Sequence, residues 1–253
     1  MGQVYAVANQ KGGVGKTTTV VSVGAYLAAA EKRVLLIDID PQANATSCLG
    51  VDKQSLRRSI YDALINDVPL ERILLLTKRL GLDLVPAGPS LAGAEIELVP
   101  VLAREYRLKQ ALEPIRDRYD YFLIDCPPSL GLLTLNALAA ADAVIIPVQC
   151  EYLPMEGLAQ LLRTIGLVRS NLNPRLGIKG LLMTMYDMRT SLAQQVVDEV
   201  RSHFPDKTFQ TIIPRSVRLS EAPSYGEPIL DYAPGSSGGV AYQALVQEIL
   251  RST

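Results

Sequence analysis

Residues 8–19 read ANQKGGVGKTTT and connect an apolar segment to a stretch of helical periodicity. Glycines at 12, 13 and 15 let the backbone turn tightly and aim successive N–H groups at one point, and a helix starting there adds a positive field. This is how a phosphate-binding loop is built. Lys16 is placed to reach the β- and γ-phosphates of a nucleoside triphosphate, and the Thr17 hydroxyl to hold Mg²⁺. Gly12, Gly13, Val14, Gly15, Lys16, Thr17 and Thr18 are the candidate nucleotide-binding residues. A glycine turn followed by a solvated lysine is the plainer alternative, but strand, loop, GKTT and helix in this order favour the phosphate loop.

Such a loop belongs to an α/β fold, and the rest of the chain agrees. Short runs rich in Val, Ile and Leu at 4–8, 34–37, 82–85, 121–124, 143–148 and 178–183 predict buried strands. Amphipathic stretches at 17–30, 107–118, 155–170 and 191–204 predict helices between them. The alternation implies a doubly wound, mostly parallel sheet flanked by helices. At 253 residues, 48% hydrophobic and 20% charged, the chain can bury a large core. No linker, charge block or repeat divides it, so residues 1–253 are expected to form one domain. The region 52–102 is less regular and is expected to hold short helices around one strand. A final amphipathic helix over 240–250 should bury Val240, Leu245, Val246 and Ile249.

The longest nearly apolar stretch, 20–30, falls short of the ~20 residues a membrane span needs. The N-terminus lacks the pattern of a secretion signal, and Cys48, Cys126 and Cys150 have no CxxC spacing, which disfavours disulfides and zinc. A cytoplasmic location is expected. His203, the single histidine, reads as a solvated helix end rather than a proton shuttle.

Two carboxylate clusters follow predicted strands, Asp38-Ile39-Asp40 and Asp125-Cys126-Pro127-Pro128. Ligands bind beyond the carboxyl ends of strands in open parallel sheets, so both can face the loop. Asp125 is the candidate Mg²⁺ carboxylate. Asp40 is the candidate for positioning the attacking water, with Pro41-Gln42 opening a switch segment. Asp38 is harder to assign, and support of the loop from below is one reading.

The loop departs from the ordinary GxxxxGK[ST] pattern, having Gln10 where glycine is usual and an additional Lys11. In this it resembles the deviant Walker A ATPases, whose KGGxGKT stands here as Lys11 through Thr17. The resemblance implies that Lys11 reaches the phosphates bound by a partner subunit, so that ATP drives formation of a homodimer. Two facing nucleotides concentrate negative charge, which a lysine from each subunit would offset.

Further segments extend the resemblance along nearly the full chain to the Soj/ParA-type chromosome and plasmid partition ATPases: DIDPQANATSCLG at 38–50, LAGAEIELVP at 91–100, DCPPSLGLLTLN at 125–136, PVQCEYLPME at 147–156 and IPRSVRLSEAP at 213–223. The family implies a dimer with bound ATP that holds double-stranded DNA without sequence preference, on the nucleoid, and is released when a ParB-type partner stimulates hydrolysis. It also implies DNA contacts at Arg189 and Arg218, and adenine contacts at Pro214 and the next-but-one position. That position is Ser216 here, where the family usually has Asn; its hydroxyl can donate or accept but reaches less far than an amide.

Net charge is −1, from 25 basic and 26 acidic residues, so DNA binding requires basic residues gathered on one face. Residues 215–218 contain no acid before Glu221, which permits such a patch. No arginine is placed as a catalytic finger, so intrinsic turnover is expected to be slow. The nearest rival is a MinD-like division-site regulator. Its membrane-binding tail is poorly matched by residues 238–253, where Arg251 is the only basic residue, and no membrane contact is expected. A ParA-like positioner of protein cargo shares the motor and stays open. A nitrogenase-reductase-like enzyme would need exposed cluster cysteines, and a synthetase a small-molecule pocket for which no motif is found.

Overall fold

The computed structural model describes residues 2–151 and 154–251, without the side chains of 154–156. Tyr152 and Leu153, within the family-like segment 147–156, lie outside the described residues. The strands are β1 (Gln3–Val7), β2 (Val34–Asp38), β3 (Leu75–Leu76), β4 (Leu82–Val85), β5 (Tyr121–Asp125), β6 (Ala143–Gln149), β7 (Gly177–Tyr186) and β8 (Thr208–Pro214). The helices are α1 (Lys16–Ala29), α2 (Asn44–Cys48), α3 (Ile60–Asn66), α4 (Leu91–Glu97), α5 (Arg107–Leu112), α6 (Leu132–Ala140), α7 (Pro154–Asn171), α8 (Ser191–His203), α9 (Val217–Glu221), α10 (Ile229–Tyr232) and α11 (Ser237–Arg251).

The strands form one sheet in the order β3-β4-β2-β5-β1-β6-β7-β8, with β3 antiparallel to β4 and the other pairs parallel. Apart from the edge strand β3, alternate residues of the strands feed opposite cores. Val4, Ala6, Leu35, Ile37, Phe122 and Ile124 join one, with residues of α3 to α8. Tyr5, Val7, Val34, Leu36, Tyr121 and Leu123 join the other, with residues of α1 and α11. Strands covered on both faces must be apolar throughout, which is why they read as continuous hydrophobic runs. Each fully buried Leu or Ile contributes about 1.5–3 kcal/mol.

Several expectations need correction. The helix expected over 107–118 ends at Leu112 and tightens into a 3-10 turn at Glu113–Ile115, because Pro114 has no N–H and its ring crowds the preceding turn. In α11, Val240 is 54% exposed, while Tyr242 joins Leu245, Val246 and Ile249 in the core. The region 52–102 holds two strands rather than one, since Leu75–Leu76 adds an antiparallel edge. Helix α6 and strand β8 were not anticipated. Apart from its N-terminal turn, α6 is buried all round, so it lacks the polar face that periodicity detects. Its Asn136 is wholly buried and satisfied, accepting from Leu108 N and donating to the Arg104 and Leu132 carbonyls. Strand β8 pairs with β7 across two register shifts and alternates too irregularly to show.

Among the described residues no helix is long and apolar enough to cross a membrane, and no cluster of His, Cys, Asp and Glu could hold a metal on its own. Cys48, Cys126 and Cys150 are all buried and free. His203 is exposed and ends α8.

Candidate nucleotide site

Strand β1 is central, and the loop leaving it opens α1. Gly13 (φ 73°) and Gly15 (φ 90°) both adopt left-handed backbone, which side chains disfavour. A Cβ on Gly12 or Gly13 would meet no atom within 4 Å, so those residues face open space instead of packed protein. Below the loop, buried Val14 is tied down through its carbonyl, which accepts from Thr184 Oγ1 at 2.9 Å. Asn9 ties the entrance: its amide donates to the Pro147 carbonyl at 2.7 Å, and its Oδ1 accepts from Lys11 N at 3.0 Å. Neither Asn9 nor Thr184 was identified from sequence, because each acts on backbone that only the sheet brings near.

Lys16 is buried, with Nζ donating to the Lys11 carbonyl at 3.3 Å. Burial pulls its ammonium below the usual lysine range, opposed by the nearby Asp125 and Asp40 carboxyl groups. The Lys11 side chain is exposed and does not line the cavity.

The parallel register of β2 and β5 sets Asp38 directly beside Asp125, both wholly buried. Thr17 Oγ1 donates to Asp125 Oδ2 at 2.7 Å, whereas Asp125 Oδ1 is buried with no partner. Burial and then the Asp38 charge push the Asp125 carboxyl well above the usual range, against the pull of the Thr17 hydrogen bond. A hydroxyl and an orphaned carboxylate oxygen beside a glycine cradle are hard oxygen donors of the kind Mg²⁺ accepts. These residues fit a Mg²⁺-bound triphosphate.

Asp38 is corrected. It does not support the phosphate loop; it anchors the segment that follows β2, accepting from Asp40 N at 3.1 Å and from Thr46 N and Oγ1, each at 2.8 Å. Thr46 Oγ1 in turn accepts from Ala87 N. Burial outweighs these bonds and pushes Asp38 up to about 6. Asp40 is 6% exposed, and its Oδ1 accepts from Gln42 N at 2.9 Å in a turn closed by left-handed Ala43.

Two cavities adjoin. One of about 270 Å³ is lined by Gly12, Gly13, Gly15, Lys16, Thr17, Thr18 and Asp40, with Gln42, Asn44, Pro128 and Met185. The other, about 260 Å³, is lined by residues including Pro214, Ser216, Thr184 and Tyr242. They share Gly15, Thr18 and Met185. Pro214 and Ser216 therefore sit next to the phosphate loop, as the ends of β7 and β8 require. Met185 stands at the junction in left-handed backbone (φ 53°) with its sulfur against the Gln149 amide, a strained position no sequence pattern announces.

Arg189, on the exposed turn beyond β7, and Arg218, on α9 beyond β8, lie outside both cavities. The patch they were expected to form is not free: Arg189 pairs with Asp187 at 2.6 Å, Arg218 with Glu221 at 2.8 Å and Arg215 with Glu151 at 2.5 Å.

Residues 2–178 match the family model described as AAA domain. The chain is 57% identical to the sporulation initiation inhibitor protein Soj of Bacillus subtilis, covering 98% of both chains. It is 53% identical to the chromosome partitioning protein ParA of Myxococcus xanthus, over 99% of this chain and 89% of that one. Among solved structures, a cobyrinic acid a,c-diamide synthase of Mycobacterium smegmatis with bound ATP analogue and magnesium superposes with a TM-score of 0.88 at 42% identity, covering 99% of this chain and 95% of that one.

Proposed function

The chain belongs to the Soj/ParA family of chromosome-partitioning ATPases, and from that premise we propose that it is an ATP-switched homodimer that grips DNA and lets go on hydrolysis. The observation that carries the reading is the pair of adjoining cavities that share Gly15, Thr18 and Met185, one suited to phosphates and the other to a base. The same reading takes residues 1–253 as one ATPase domain, since a single eight-stranded sheet runs through it.

In this assignment the N–H groups of residues 12–17 and the Lys16 ammonium hold the β- and γ-phosphates. Thr17 and Asp125 hold Mg²⁺, which supplies charge neutralisation to the phosphates when bound. Asp40 positions the attacking water and accepts its proton through the carboxylate oxygen not engaged by Gln42. Thr18, Pro214 and Ser216 line the path to the base. Lys11, whose side chain is exposed, reaches a partner subunit's phosphates. Arg189 and Arg218 bear on the backbone of double-stranded DNA without reading sequence, and a ParB-type protein speeds hydrolysis. On this reading the chain works in the cytoplasm, on the nucleoid. The synthase shares the nucleotide fold, but the reading follows the relatives at 57% and 53% identity.

Retention of arbitrary duplex DNA, compared with ATP, with ADP and without nucleotide across a salt series, tests the proposal. Retention should need ATP and fall steeply with salt. Retention indifferent to nucleotide would leave the ATPase assignment standing alone.

A further inference from the structure

Arg189, Arg215 and Arg218, in the segments that follow β7 and β8, each hold an acid of their own chain. Arg189 does so most completely: its backbone N–H donates to Asp187 Oδ1 at 3.0 Å, Nε to the same oxygen at 2.9 Å and Nη2 to Oδ2 at 2.6 Å. Two parallel donors on two anionic oxygens is also the geometry in which a guanidinium holds a phosphate. Glu221 is likewise preset, since the Tyr232 hydroxyl donates to Oε2 at 3.0 Å, the oxygen that Arg218 Nη1 meets at 2.8 Å. Arg215 meets Glu151. The loops are adjacent, because Tyr186 of β7 pairs with Pro214 of β8 and Arg215 N donates to the Tyr186 carbonyl at 2.9 Å.

We propose that Asp187 and Glu221 are built-in competitors for DNA phosphate, occupying the Arg189 and Arg218 forks in the free chain and lowering the affinity of a single protomer. The inference rests on the DNA-binding reading given above and adds its regulation. The arginine side chains are 82% and 59% exposed, so a phosphate can approach and exchange with the carboxylate without unfolding anything. Exchange replaces one ion pair by another, so each contact returns little net affinity. A chain with weak contacts holds DNA only when several act together, as they do when two protomers are joined. The acids thereby make the grip depend on the nucleotide that joins the protomers.

The test uses the full chain and arbitrary duplex DNA, with and without ATP, comparing Asp187→Asn, Glu221→Gln, the double variant, Arg189→Ala and Arg218→Ala. Asn and Gln keep an accepting oxygen for Arg189 N and for Tyr232, and ATP binding by the same preparations reports on folding. The proposal expects each carboxamide variant to bind DNA about twofold to fivefold tighter. It expects the double variant to retain DNA measurably without nucleotide. If the arginine variants lose DNA but the carboxamide variants bind it no tighter than the parent, the competitor role is overturned and the DNA face stands. If the arginine variants bind as well as the parent, the DNA-face assignment itself fails and takes the competitor role with it.

Discussion

Thr17 Oγ1 donates to Asp125 Oδ2 at 2.7 Å across 108 residues of chain, and the other oxygen of that carboxylate is left buried without a partner. A buried, half-satisfied carboxylate costs stability when ionised and is retained for what it binds. Asp125→Asn is therefore expected to stabilise the nucleotide-free protein at pH 8 by about 1–3 kcal/mol. The same change should weaken Mg²⁺-dependent ATP binding at least about tenfold, the scale of one lost charge-assisted contact. Urea denaturation in chelator and calorimetric titration with ATP and Mg²⁺ would show the two opposite effects; a destabilised apo protein would contradict the assignment.

Lys16 and Asp40 should separate binding from chemistry. Lys16→Ala removes the buried ammonium that lines the loop cavity and should raise the dissociation constant for ATP by about 10- to 100-fold. Asp40→Ala should leave ATP affinity within a few-fold and lower turnover by about 10²-fold or more. Equilibrium binding beside single-turnover hydrolysis measures both. Rapid turnover in the Asp40 variant would remove Asp40 from the mechanism.

Lys11 should matter only between subunits, since its side chain is exposed and off the cavity. Lys11→Ala in an Asp40→Ala background is expected to bind ATP normally but stay monomeric by light scattering, where Asp40→Ala alone gives dimers. Dimers in the double variant would refute the role assigned to Lys11.

Asp38, pushed up to about 6 by burial, sets a pH dependence of stability. A carboxyl with a raised folded-state pKa carries no penalty below its unfolded value and the full penalty above its folded value, so its contribution falls as pH rises from about 4 to about 6. Relative to Asp38→Asn, the parent chain should lose on the order of 3 kcal/mol across that window. Chemical denaturation of both proteins at pH 4.5 and 7.5, without nucleotide, provides the comparison. Parallel pH profiles would mean that Asp38 is not the titrating group.

Arg189→Ala and Arg218→Ala should each weaken DNA retention for all sequences alike and flatten the slope of log affinity against log salt by about one. A variant that changed sequence preference, with its salt slope intact, would exclude a backbone contact.

What could be read from the chain alone was whatever is local. The phosphate loop is one contiguous strand, glycine turn and helix, so its conformation follows from residue types in order, and the two-faced strands announce themselves because burial on both sides demands unbroken apolar runs. Helix α6 shows no period because it is buried nearly all round, and Pro114 cuts short the helix that the pattern over 107–118 suggests. The family-like segments located the site's parts but not their contacts. Asp38 beside Asp125 depends on β2 pairing with β5 in one register, the Asn9–Pro147 bond on β6 lying next to β1, and the Arg215–Glu151 pair on β6 and β8 flanking β7. Hydrophobic pattern and glycine placement act over a few residues and specify elements. Which polar atoms end within 3 Å of one another is decided by strand order and register, and only the folded sheet supplies those.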